Sequence, residues 1–125
     1  MRSTSIFLNR RGILKTMSAE VTRELLQTSP VEGMPGWEMR LFLITYPPGA
    51  DASNHSHPVV GIGLLLEGTM ISAFDNHPEE TFTAGQSFRD DASLHRVSRN
   101  GSQTEPMKFV IAYAVKQGEP NTVWP

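Results

Sequence analysis

Two histidines one residue apart, His55 and His57, stand in the stretch GADASNHSHPVVGIGLLLEG, residues 49–68. In extended chain, successive side chains alternate between faces, so both imidazoles point one way and Ser56 points the other. Each neutral ring offers a nitrogen lone pair, and a strand would fix their separation before any ion arrives. The pair is therefore suited to chelating one divalent metal. Two histidines among Gly, Asp, Ser and Asn are also what an exposed loop would carry, so the surroundings must decide between the two readings. The chain has no cysteine, which excludes a thiol nucleophile, a thiolate metal site and a disulfide. It shows no separate strong base, cofactor motif or nucleophile, so any chemistry centres on these histidines.

The elements that would position them read as strands. Residues 37–46, WEMRLFLITY, are rich in aromatic and β-branched side chains and end at Pro47-Pro48-Gly49. Residues 59–67 are nearly continuous apolar chain, and residues 69–74 follow. Asp75, Asn76, His77 and Pro78 supply turn chemistry leading to Thr81, Phe82 and Thr83, which makes His77 a turn residue remote from the other histidines. Residues 86–89, 95–99 and 107–115 complete the set, and SPVEGMPGW at 29–37 must turn. Residues 19–27 fit a short helix or a strand equally imperfectly. Many short strands without a long amphipathic helix predict an antiparallel sandwich or barrel, without choosing among such folds.

A glycine, five residues, His-x-His, an apolar strand and a further glycine resemble the first motif of the cupin superfamily, here Gly49, His55, His57 and Gly68. The stretch AGQSFRDDASLHRVSRN is similar to the second motif, with Gly85 opening it, His95 in the ligand position and Asn100 closing it. YPPGA, LLEG and HRVSRN look like the small single-domain cupins in particular. The resemblance covers residues 40 to 115 and implies an all-β antiparallel jelly-roll β-barrel with little helix, filling residues 18–125 as one domain. It also implies a strand at 19–27, one divalent metal ion on His55, His57 and His95, and a homodimer.

The chain departs from the family pattern twice. The first motif has a glutamate four residues after its second histidine, where this chain has Gly61, so the usual carboxylate ligand is absent. The second motif has a proline and a glycine before its histidine. Asp90, Asp91, Ala92 and Ser93 stand here instead, so a rebuilt loop is expected. Gln86, Asp90 and Asp91 are the candidates for a fourth ligand. If His95 converges on the His55–His57 face, Val97 and Arg99 would share its side of the strand. Arg40, Arg99 and Tyr113 are the polar candidates for binding a carboxylate or enolate. Gly61 and Gly63 either open the cavity wall for a bulky substrate or mark a bulge or bend. The methionines and phenylalanines read mainly as core.

At 125 residues the chain is long enough to bury a core without a disulfide or a metal to hold it. Its net charge is -2 with Lys and Arg scattered, which argues against nucleic acid and anionic membranes as partners and for a small-molecule substrate. Residues 1–17 are basic and read as a tail, extra strand or arm. The string from Asn9 to Lys15, with Arg10 and Arg11, resembles a twin-arginine export motif, but charged and hydroxyl residues follow it where an apolar stretch is needed. No run is long enough to span a membrane, and a cytoplasmic location is expected.

Three functions fit these residues. The metal could act as a Lewis acid in cyclisation, isomerisation, dehydration or decarboxylation of a carbonyl or enol substrate, polyketide-like or a carboxylic acid. It could be Fe(II) in a three-histidine dioxygenase. The domain could instead be a non-catalytic module that binds a metal or small ligand. Zinc, iron, nickel, copper and manganese all remain open.

Overall fold

The computed structural model describes the backbone of residues 3–8 and 14–125, and side chains from residue 20 onward. Strands β1 (Ser3–Leu8) and β2 (Leu14–Ala19) pair antiparallel as a separate two-stranded sheet. The described part of the basic arm expected at 1–17 is thus a pair of strands, the second of which ends at Ala19. Residues 9–13, with most of the twin-arginine-like string, lie outside the described residues.

The remaining strands are β3 (Thr22–Pro30), β4 (Trp37–Tyr46), β5 (His55–Ser56), β6 (Gly61–Glu67), β7 (Thr69–Phe74), β8 (Glu80–Thr83), β9 (Ser87–Asp90), β10 (Leu94–Asn100) and β11 (Met107–Lys116). They form a five-stranded sheet, β3-β4-β11-β6-β9, and a four-stranded sheet, β5-β10-β7-β8, with every pairing antiparallel. Among the described residues there is no helix, and the architecture is the all-β jelly roll that the cupin resemblance implies. β4 occupies the expected span, while β3 is a strand that starts at Thr22 and continues through Ser29 and Pro30, so the turn begins at Val31.

Alternation decides which side chains fill the space between the sheets. In β11 the residues Met107, Phe109, Ile111, Tyr113 and Val115 are all buried, and their even-numbered neighbours are not. They pack with Ile44, Tyr46, Leu65, Met70 and Phe88 in one core. Gly68 takes a φ of +84° at the β6–β7 turn, and a Cβ there would lie 2.5 Å from the Pro106 carbonyl oxygen, so only glycine fits.

Both readings of Gly61 and Gly63 are corrected. The β6–β11 register runs unbroken past them, Gly61 opposite Tyr113 and Gly63 opposite Ile111, so neither marks a bulge. No substrate space is left either. A Cβ at Gly61 would lie 2.5 Å from Tyr113 Cε1, and one at Gly63 would lie 2.3 Å from Phe88 Cζ. The room created by the missing side chains is filled by the chain's own aromatic rings.

Candidate metal centre

Cross-strand pairing brings the histidines together. His55 in β5 lies directly opposite His95 in β10, and directly opposed residues of an antiparallel pair share a face. His57 follows one alternation later, with its backbone N–H donating to the Ser93 carbonyl at 3.1 Å. That bond ties the rebuilt 90–93 loop to the first histidine motif. All three imidazoles are buried, and one nitrogen from each lies within 4.8 Å of the others.

Hydrogen bonds fix which nitrogens carry protons. His55 Nδ1 donates to the Ala52 carbonyl, and His57 Nδ1 donates to the Asn121 carbonyl at 3.1 Å. A carbonyl oxygen only accepts, so in both neutral rings Nε2 is the lone-pair nitrogen. These two Nε2 atoms are 3.1 Å apart. Two lone pairs facing one another at that distance repel unless a positive centre sits beside both. Metal–nitrogen bonds of about 2.0–2.1 Å place cis imidazole nitrogens about 2.9–3.4 Å apart, so this spacing fits a shared metal ion. His95 Nε2 lies 2.7 Å from Ser72 Oγ, while its Nδ1 is buried without a hydrogen-bond partner. A hydrogen bond to the second nitrogen of each ring is the usual support of a metal-binding histidine. The donor set therefore suits a divalent metal.

Burial also keeps the rings neutral. Desolvation lowers the pKa of His57, takes His55 down to about 4 and takes His95 down to about 2, with neighbouring histidines adding to the last. Phe74 stacks on His95 at 4.0 Å between centroids, and Tyr113 stacks on His57 at 5.8 Å.

Of the three fourth-ligand candidates, only Asp90 faces the histidines. It is the direct cross-strand partner of Gly61, so a carboxylate approaches from β9 where β6 has none. Its Oδ2 lies 3.4 Å from His57 Nε2 and its Oδ1 is buried without a partner. Burial, reinforced by Asp91, pushes its pKa up to about 7. The other two candidates are corrected. Gln86 is exposed and accepts a hydrogen bond from the Thr83 N–H at 2.7 Å, and Asp91 pairs with Arg89 at 3.3 Å on the surface.

Tyr113 is buried in the cavity wall, and desolvation raises its pKa so that it remains a phenol. Arg40 does not line this cavity. Its guanidinium donates to the Glu119 carbonyl at 2.7 Å and contacts Asn121 Oδ1 at 3.4 Å, so it holds the segment whose backbone supports His57. Arg99 is also corrected. A bulge at Arg96 shifts the β10 register, so Ser98 and Asn100 turn inward after His95, while Arg99 pairs with Glu79 at 3.1 Å outside. Val97 loses its place on the histidine face for the same reason.

Four residues at the site carried no sequence signal. Ser72 and Asn121 support ligands. Trp124 lies 4.9 Å from the His55 ring, and the Arg23 guanidinium carbon lies 4.6 Å from the Trp124 ring centroid. Backbone bonds in both directions between Ser56 and Val123 hold this C-terminal segment against β5. The cavity beside the histidines has a volume of about 20 Å³, room for a water or an ion.

Comparison with known proteins gives a family and a fold. The structure of an oxalate oxidase in complex with the substrate analogue glycolate superposes with a TM-score of 0.62 at 18% identity, over 85% of this chain and 55% of that one. The DMSP lyase DddQ from Ruegeria pomeroyi gives 0.64 at 17% identity, over 97% and 60%. A cupin-like protein from Thermotoga maritima gives 0.58 at 18% identity, over 84% and 75%. The chain thus spans about half the length of the oxalate oxidases it matches. No curated protein matches by sequence. The family model for the cupin domain matches residues 42–113, more than half of the chain and including all three histidines, and so this chain belongs to the cupin family.

Proposed function

We propose that this chain is a metal-dependent enzyme that moves protons on a small carbonyl-containing substrate, in an elimination, isomerisation, cyclisation or decarboxylation. The observation that carries the metal is the 3.1 Å approach of two Nε2 lone pairs, each fixed by a carbonyl on the far side of its ring. A bound divalent ion supplies Lewis acidity, which polarises a carbonyl and stabilises the enolate formed when a neighbouring carbon loses a proton.

The residues around it have separable roles. Ala52 and Asn121 hold His55 and His57 through their carbonyls, and Ser72 holds His95. Asp90, 3.4 Å from His57 Nε2 with a pKa pushed up to about 7, can hold or release a proton near neutral pH. Structures named for a lyase and for an oxidase share the fold, so the fold does not choose the chemistry. Asp90 supports the proton-transfer reading, because it places a group that can exchange a proton beside the histidines.

The 20 Å³ cavity favours a second reading, a non-catalytic metal-binding module, since no organic substrate fits beside the histidines with the C-terminal segment in place. Both readings need the metal, and elemental mass spectrometry of protein purified without chelator or affinity tag tests it. Close to one equivalent of zinc or nickel per chain is expected, lost in His55→Ala/His57→Ala. Iron would point to the dioxygenase. A protein that takes up no metal even on reconstitution would end the metal reading altogether.

A further inference from the structure

The closed histidine cavity has a neighbour. A second cavity of about 430 Å³, large enough for a small organic molecule, is lined by Trp124, Ala52, Ser53 and Asp51 among others. It is separated from His55 by the Trp124 ring. One residue, Arg23, lines both cavities. It projects from the edge strand β3, is exposed, and makes no ion pair with any described carboxylate; its guanidinium rests instead on Trp124. Among the described residues, no other Lys or Arg lines either cavity.

We infer that Arg23 is the anchor for the anionic end of the substrate, an organic monocarboxylate that docks in the 430 Å³ cavity and takes the guanidinium from the face of Trp124. The inference rests on the metal-enzyme reading above and gives it a route of approach. A carboxylate accepts two parallel N–H donors from a guanidinium, a stronger contact than the face of an indole. Once Trp124 is released, the ring that separates the outer cavity from His55 no longer blocks it. Backbone bonds at Val123, the Arg40 contacts at 119–121 and the His57 bond to the Asn121 carbonyl still hold the segment before it, so the movement is confined to the Trp124 end. Among the described lining residues Arg23 offers a single positive charge, which matches a single carboxylate.

Trp37 and Trp124 are the two tryptophans of the chain, so a Trp37→Phe background leaves Trp124 as the reporter. In that background, at constant ionic strength and with zinc loaded, propanoate is expected to change the emission saturably and uncharged propanamide is not. Arg23→Gln should weaken the propanoate response at least tenfold, and Arg89→Gln, on the far edge of the sheet, should leave it unchanged. Malonate should bind no more tightly than propanoate. Absence of a saturable propanoate response, or an equal response in Arg23→Gln, overturns the anchor, and much tighter malonate binding overturns the monoanion assignment. Repeating the titration on metal-free protein separates the two readings. A propanoate response there, in a chain that binds no zinc, would refute the metal enzyme and leave the anion site standing.

Discussion

His55, His57 and His95 are held neutral by burial, and that sets how the metal-free protein answers to pH. Their folded-state pKa values lie below the ordinary 6.5, at about 4 for His55 and about 2 for His95, so between pH 6.5 and 4 the unfolded chain binds more protons at these sites. Stability from the histidines is present above pH 6.5 and is lost as pH falls through that window. Asp90 acts in the opposite sense. Its folded pKa of about 7 lies above the ordinary 3.8, so its contribution is full at low pH and is lost as pH rises from 3.8 through 7. Three groups outweigh one, and each net proton is worth about 1.4 kcal/mol per pH unit. Chemical denaturation of metal-free protein is therefore expected to give a lower unfolding free energy at pH 5 than at pH 6.5, and equal values would contradict neutral burial of the triad. At this scale the sequence was only partly legible. Alternation placed His55 and His57 together, but Ser72 and Asn121 meet them through contacts 23 and 64 residues apart, which no local pattern encodes.

Strands carry the next level, and here register matters more than residue type. The single bulge at Arg96 moves every later side chain of β10 to the opposite face, which turns Arg99 outward and Asn100 inward. Asn100 then donates to the carbonyls of Tyr46, Pro47 and Glu105 and accepts from the Ser102 N–H, pinning the loops that enter and leave the barrel. The span of β4 was legible because β-branched and aromatic residues fill it and prolines end it. The bulge was not, because it answers to β7 across the sheet. The β6–β11 pair offers a sharper test. Gly61→Ala would drive a Cβ to 2.5 Å from Tyr113 Cε1 and is expected to cost about 1–3 kcal/mol. Because Ile111 Cδ1 also lies 2.8 Å from that position, Gly61→Ala/Tyr113→Ala should recover only part of the loss. Strictly additive unfolding free energies for the two substitutions would show that ring and glycine are not coupled.

Taken as a whole, the molecule has an outer surface that its own described residues leave open. On the five-stranded sheet, Leu43, Val110 and Leu64 form one cross-strand row and Leu41, Ala112 and Ile62 the next. Ile62 is 67% exposed, Leu66 46% and Leu64 40%, and β3 and β9 border them with Glu24, Gln27, Ser87 and Arg89. An apolar centre with a polar rim is how a homodimer interface is built, and dimerisation through this face is expected. Light scattering should give twice the 13.9 kDa chain mass, falling to one chain mass in Ile62→Asp/Leu64→Asp. A monomeric wild type would remove the expectation.

The packing of Trp124 over His55 has a practical corollary for anyone handling the protein. A polyhistidine tag fused after Pro125 would begin one residue from that ring. Six added residues reach about 20 Å in extended chain, so the tag's own imidazoles could compete for the ion. Metal stoichiometry measured on such a fusion would report the tag as much as the triad. Affinity handles belong at the other terminus, with removal before analysis.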